Sequence, residues 1–184
     1  MSDIGLFYSF KSLKTRKIAG YIIEMFGEKA IESIDAETVT EEEFMRFDKI
    51  ILGVPTWFDG ELPLYWDEFV PALKDMDLSG KKIALYGLGD QKGYPENFGD
   101  AVGLMANILI SRNAELVGET SPEGYSFESS RALYDGRFRG LILDQENQAR
   151  LTEKRIQDWV DQLKTIFADP SPLLHLGPVQ RGSG

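Results

Sequence analysis

Hydrophobic and polar positions along this chain follow two periods in turn. Apolar runs without a helical period recur at 4–8 (Ile4-Gly5-Leu6-Phe7-Tyr8), 49–54, 82–86 and 140–144, and each reads as a strand buried on both faces of a parallel sheet. Between them, apolar residues three and four apart mark helices. Residues 16–26 place Ile18, Ala19, Ile22, Ile23 and Phe26 on one face, and Gly27 stops the run. Residues 65–73 do the same with Trp66, Phe69, Val70 and Leu73, and 97–113 with Ala101, Leu104, Met105, Ile108 and Leu109. The last helix, 152–167, carries Ile156, Trp159, Val160, Leu163 and Phe167 inward. Weaker strands are read at 30–34 and 114–118. Thr40 followed by Glu41-Glu42-Glu43 has the composition of a capped helix start.

Strand and helix alternate five times. That order predicts an α/β domain of three layers, a doubly wound five-stranded parallel sheet with helices on both faces and right-handed crossovers. One domain is assigned to 1–168. The Pro- and Gly-rich stretch 169–184 is read as a disordered tail, and its last four residues have the composition of an expression-vector remainder. The stretch 119–139 breaks the pattern with polar, aromatic and glycine residues.

Composition narrows what such a fold can do. The 184 residues are 42% hydrophobic and 11% aromatic, enough for the core of one domain. There is no cysteine, which excludes disulfides, thiolate metal sites and thiol catalysis. The single histidine, His175, lies in the tail, so a His-based triad and a His-rich metal site are set aside. The formal charge of -10 has the wrong sign for nucleic acid and favours protein partners with basic faces. No apolar run reaches transmembrane length and no signal segment opens the chain, so a cytoplasmic, monomeric protein without membrane contact is expected.

In open α/β sheets, ligands sit outside the carboxyl ends of the strands. Three loops there are unusual. The first, Ser9-Phe10-Lys11-Ser12-Leu13-Lys14-Thr15, puts three hydroxyls and two lysines ahead of a helix, where free backbone N–H groups and the helix dipole favour a phosphate. Ordinary capping by Ser12 or Thr15 explains the same residues. The second, Pro55-Thr56-Trp57-Phe58-Asp59-Gly60, carries a tryptophan that either stacks on a planar ligand or packs in the core. The third, Gly87-Leu88-Gly89-Asp90-Gln91-Lys92-Gly93-Tyr94, has three glycines that let the backbone approach a ligand, with an aromatic at its end. Asp90 also fits a plain turn residue, and Tyr94 also fits packing on the following helix.

Together these loops resemble the flavodoxin family, in its long-chain group. The resemblance is carried by Gly53-Val54-Pro55-Thr56-Trp57, by Leu88-Gly89-Asp90-Gln91-Lys92-Gly93-Tyr94-Pro95-Glu96-Asn97-Phe98 and by Leu143-Asp144-Gln145-Glu146-Asn147-Gln148. It implies a flavodoxin-like fold, with 119–139 as an insertion into the last strand. It also implies noncovalently bound FMN. Its phosphate would lie in the loop of Ser9, Phe10, Lys11, Ser12, Leu13, Lys14 and Thr15. Its ring would lie between Trp57 and Tyr94. Backbone groups of Pro55, Thr56, Phe58, Asp59 and Gly60, and of Gly87, Leu88, Gly89, Asn97 and Phe98, would meet the ring edges, with Asp90 at the pyrimidine end. The chain departs from the family's usual Thr-x-Thr-Gly-x-Thr, because Phe10 replaces the first threonine and Leu13 the glycine. If that glycine's backbone freedom is needed, Leu13 adds about 1 kcal/mol of strain. The lost hydroxyl costs about 1 kcal/mol more, with Lys11 and Lys14 compensating by charge.

The implied function is low-potential one-electron transfer, between a reductase such as a ferredoxin/flavodoxin–NADP reductase and a terminal acceptor. Asp59 would tune the potential by its charge, and Phe58 would sit at the electron exit. The alternative is a binding module whose altered phosphate loop holds little FMN. A flavin-dependent reductase is disfavoured by the Trp57 cover.

Overall fold

The computed structural model describes residues 2–169; of the expected tail 169–184, residues 170–184, with His175 among them, lie outside the described residues. Five principal parallel strands are built in the order 2-1-3-4-5: β1 (Ile4–Tyr8), β2 (Ile31–Asp35), β3 (Lys49–Gly53), β4 (Lys82–Leu88) and β5 (Glu115–Val117). The direction of winding reverses between β1 and β3, which is where such sheets bind ligands. Alternation along the strands sorts side chains to two cores. Phe7, Ile50, Leu52, Ile83 and Leu85 face one way, against α2 (Glu41–Met45), α3 (Leu64–Asp75) and α4 (Asp100–Ser111). Leu6, Ile51, Ala84 and Tyr86 face the other, against α1 (Leu13–Phe26) and α5 (Thr152–Ala168).

The last strand comes in two pieces. β5 pairs with β4 from Lys82↔Glu115 to Ala84↔Val117. The segment 118–140 then leaves the sheet and forms a small hairpin, β6 (Leu133–Tyr134) and β7 (Arg137–Phe138). It returns as β8 (Leu141–Leu143), which pairs further along β4 from Tyr86↔Leu141 to Leu88↔Leu143. Tyr125, Phe127 and Phe138 of the excursion pack round the buried Phe98, which anchors it to the domain.

Several boundaries differ from the pattern in the sequence. Helix α1 begins at Leu13 rather than 16, so Leu13, Lys14 and Thr15 form its first turn instead of a loop. Strand β4 runs on through Gly87 and Leu88. Gly87 is required there, because a Cβ would lie 2.7 Å from the Val54 carbonyl oxygen and 2.5 Å from Val102. Helix α4 starts at Asp100, after a 3-10 turn at Pro95–Asn97. The expected capped start of α2 is a reciprocal capping box, Glu43 N–H donating to Thr40 Oγ1 while the Glu43 carboxylate accepts from Thr40 N–H.

Lys81, just before β4, and Lys82, its first residue, are both buried, against the usual preference of that residue. Lys81 Nζ donates to the carbonyls of Met45 (2.9 Å) and Phe47 (2.6 Å), which ties α2 to the sheet. Lys82 Nζ donates to Ile166 (3.1 Å) and Asp169 (3.2 Å), satisfying the C-terminal carbonyls of α5. Among the described residues, no helix is long and apolar enough to cross a membrane.

Candidate functional site

A cleft of about 770 Å³ opens at the carboxyl ends of β1, β3 and β4, within the range of small-molecule sites. Of the residues singled out in the sequence, it brings together Ser12, Leu13, Lys14, Pro55, Thr56, Trp57, Phe58, Leu88, Gly89, Asp90, Tyr94 and Asn97. Gln145 and Glu146, after β8, complete its wall. A second groove of about 590 Å³ shares Lys14, Gln145 and Glu146 and continues past Lys17, Tyr21 and Arg150, with no pair of aromatic walls.

One end of the cleft is the start of α1. Ser12 is the N-cap, but its side chain caps nothing; its hydroxyl donates to Thr15 Oγ1 at 2.9 Å. The first intrahelical bond runs from Arg16 N–H to Ser12 O. The N–H groups of Leu13, Lys14 and Thr15 are therefore left for a ligand, with the helix dipole behind them. Among the described residues, three non-glycine residues have positive φ and Leu13 is not one of them, so the strain expected there is absent. Its side chain stands 79% exposed. The two lysines are already paired: Lys11 reaches Glu37 at 3.0 Å, away from the cleft, and Lys14 binds Glu146 across it. Lys11 and Ser9 hold the Glu37 carboxyl below its ordinary value. Ser9 is itself buried, with its hydroxyl donating to Glu37 Oε1 at 2.9 Å. Phe10 packs on Tyr8 at 5.0 Å, and Thr15 is buried under the helix turn, where its carbonyl accepts from Tyr86 Oη.

The other end has two aromatic walls. Trp57 and Glu61 exchange backbone bonds of 2.9 and 2.7 Å across a tight turn, in which Phe58 has φ 46° and Gly60 φ 89°. Trp57 leans edge-on against Tyr65, whose ring centroid is 5.8 Å away, and stays 38% exposed. The buried Tyr65 hydroxyl has no partner among the described residues, and burial pushes it well above its ordinary value. Phe58 points outward, Asp59 is exposed, and Gly60 is buried behind the wall. Neither Asp59 nor Gly60 lines the cleft. Gly87 and Phe98 lie behind the opposite wall; Phe98 is fully buried, and a Cβ on Gly89 would stand 2.5 Å from its ring. The turn of Asp90 also lies on that side, and Tyr94 N–H donates to the Asp90 carbonyl at 2.9 Å.

A polar network that the sequence pattern did not disclose fixes this third loop. Asp90 accepts from Gly93 N–H at 2.8 Å, from Lys92 N–H at 3.2 Å and from Asn147 Nδ2 at 2.8 Å. These bonds, led by the Gly93 N–H, hold its carboxyl below the ordinary value. Asn147 Nδ2 also donates to the buried Asp144, which accepts Gln91 N–H and Gln91 Nε2 as well. Gln91 Oε1 in turn accepts Ser126 N–H from the excursion at 2.6 Å. Asp90 is thus a turn residue tied to its own loop and to Asn147, in a network that Gln91 extends to Ser126 of the excursion. The arrangement offers a slot for a flat ring, with backbone groups at its edges and a dipole for an anion at its end.

Comparison with known proteins agrees with this geometry. The family model described as Flavodoxin matches residues 6–159. The flavodoxin of Klebsiella pneumoniae is 41% identical over 172 residues, covering 89% of this chain and 98% of that protein. The flavodoxin of Fusobacterium nucleatum bound to flavin mononucleotide superposes with a TM-score of 0.85 at 32% identity, over 90% of this chain and 99% of that one. Its lysine-to-glycine mutant, also bound to flavin mononucleotide, gives a TM-score of 0.84 at 32% identity, covering 89% and 95%.

Proposed function

The chain belongs to the flavodoxin family, and from that premise we propose that it binds FMN in the cleft and carries single electrons from a reductase to redox acceptors, as a carrier and not an enzyme. The observation that supports this most is the pairing of a 770 Å³ slot walled by Trp57 and Tyr94 with three unclaimed N–H groups at the start of α1. The residues present fit the group: a planar ring between the aromatics and a phosphate dianion on the helix N-terminus. FMN, when bound, supplies the one-electron chemistry.

The chain's own residues do the rest. Leu13, Lys14 and Thr15 hold the phosphate by backbone N–H, with the Ser12 and Thr15 hydroxyls beside them. Lys14 moderates its charge while paired to Glu146. Trp57 and Tyr94 exclude water from the ring faces. Backbone groups of Thr56, Phe58, Leu88, Gly89 and Asp90 meet the ring edges, as do those at Asn97. The acidic chain, of formal charge -10, opposes added negative charge in the site and so keeps the potential low. The same charge steers basic-faced partners, such as a ferredoxin/flavodoxin–NADP reductase, towards the exposed Phe58 and Leu13 at the rim. The protein acts as a cytoplasmic monomer of one domain. Stopped-flow reduction by NADPH through such a reductase tests the reading: the flavin band must bleach, more slowly as salt rises. A flavin-loaded chain that the reductase cannot reduce would sink it.

A further inference from the structure

A buried carboxylate stands directly behind the tryptophan loop and has no part in the cleft. Asp100, the first residue of α4, is 2% exposed. It fills the space on the side-chain side of Gly60: a Cβ built there would lie 2.7 Å from Asp100 Oδ2 and 3.1 Å from Asp100 Cβ. Beside it, Ala101 N–H donates to Thr56 Oγ1 at 3.1 Å. The start of α4 therefore grips both ends of the 56–60 loop. The excursion grips Asp100 from the far side. Arg131 N–H donates to Asp100 Oδ1 at 2.8 Å, and Arg131 Nε lies 3.8 Å from Oδ2.

We propose that Asp100 is a positioning residue that holds the Gly60 peptide in one orientation and lowers the potential of the bound flavin by its charge, with Arg131 of the excursion setting how much of that charge is felt. The inference rests on the FMN reading above. A charge buried behind the wall acts through protein rather than water, so it is weakly screened. A negative charge there opposes electron uptake. The facing groups are few. Among the described residues, Arg131 is the charged group that acts on Asp100, and the neighbouring Asn97 and Thr56 side chains are neutral. Burial outweighs both the Arg131 backbone bond and the Arg131 charge, so the Asp100 carboxyl lies above its ordinary value.

The experiment compares wild type with Asp100→Asn and Arg131→Gln. At pH 8, Asp100→Asn should tighten binding of reduced relative to oxidised FMN about tenfold, which is about 59 mV more positive for one electron. The gap from wild type should shrink as the pH falls and the wild-type carboxyl takes up its proton. Arg131→Gln keeps the backbone donor and should shift the potential the other way. The apoprotein gives an independent readout. Because its folded pKa is raised, Asp100 contributes stability that is present below its ordinary value of 3.8 and lost as pH rises through the raised one. Urea unfolding of Asp100→Asn should lack that component. An unchanged potential at pH 8 in a folded, FMN-binding Asp100→Asn overturns the proposal. Should that variant not fold, Arg131→Gln decides: no negative shift overturns it. A wild-type chain that develops no flavin spectrum with FMN overturns the FMN reading instead, and this inference with it.

Discussion

Replacing Asn147 by alanine removes one amide from between two carboxylates. Its Nδ2 lies 2.8 Å from Asp90 Oδ1, 3.1 Å from Asp144 Oδ1 and 2.9 Å from Asp144 Oδ2, so two hydrogens serve three oxygens. A hydrogen bond to a charged group contributes about 1.5–3 kcal/mol net. Asp144 is 1% exposed, but in the variant it keeps Gln91 N–H at 3.1 Å, Gln91 Nε2 at 2.7 Å and the backbone N–H of residue 147 at 3.0 Å. Asp90 keeps two backbone donors and meets water. The lower half of the range applies, giving about 2 kcal/mol for the lost bonds. Two carboxylates left without their bridge add roughly 0.5 kcal/mol. With a urea slope of about 2 kcal/mol/M, the unfolding midpoint should fall by about 1 M. The Tyr94 loop loses its tie to the turn after β8, so FMN affinity should fall as well. Urea unfolding of the apoprotein followed by circular dichroism measures the first effect, and fluorescence titration the second. A loss under about 0.5 kcal/mol, the scatter of an ordinary surface change, would mean that the amide does not hold these carboxylates together.

Three further outcomes are expected. Gly103→Ala would place a Cβ 2.1 Å from the Arg131 carbonyl oxygen, a backbone atom that cannot swing aside, so thermal denaturation should show a loss of about 3 kcal/mol; wild-type stability would contradict the packing of the excursion on α4. Leu13→Gly relieves no strain, because Leu13 is already helical, and should cost about 0.5–1 kcal/mol in apoprotein stability; a stabilised variant would restore the strain argument. Glu37 has a lowered folded pKa through Lys11 and Ser9, so it contributes stability above its ordinary value of 4.5 that is lost as pH falls through the folded one. Glu37→Gln should therefore flatten the acid limb of the stability curve, and an unaltered limb would remove Glu37 from the account.

Much of the fold is written in local pattern, and the exceptions have physical reasons. Continuous apolar runs such as Ile50-Ile51-Leu52 send successive side chains to opposite cores, as buried parallel strands must. The first turn of α1 escaped because Leu13 and Lys14 face solvent and add nothing to a helical stripe. The end of β4 escaped because Gly87, which reads as a turn, is there to clear the Val54 carbonyl. In the site, loop chemistry marked the aromatic walls and the N-terminus of α1. The network that joins Gln91 to Asp144 and Asp90 to Asn147 was not legible, since each of those pairs is more than 50 residues apart in sequence and forms only once β4 and β8 are neighbours. Nor could sequence foresee that Lys11 and Ser9 would be claimed by Glu37, which turns them from the cleft.

The start of α1 is proposed to hold the FMN phosphate although Phe10 and Leu13 depart from the family pattern. Fluorescence titration of the apoprotein with FMN and with riboflavin, which differ by that phosphate alone, tests it most directly. Charge-assisted bonds from Leu13, Lys14 and Thr15 should make FMN bind at least about tenfold tighter. Equal affinity for the two flavins would contradict the account.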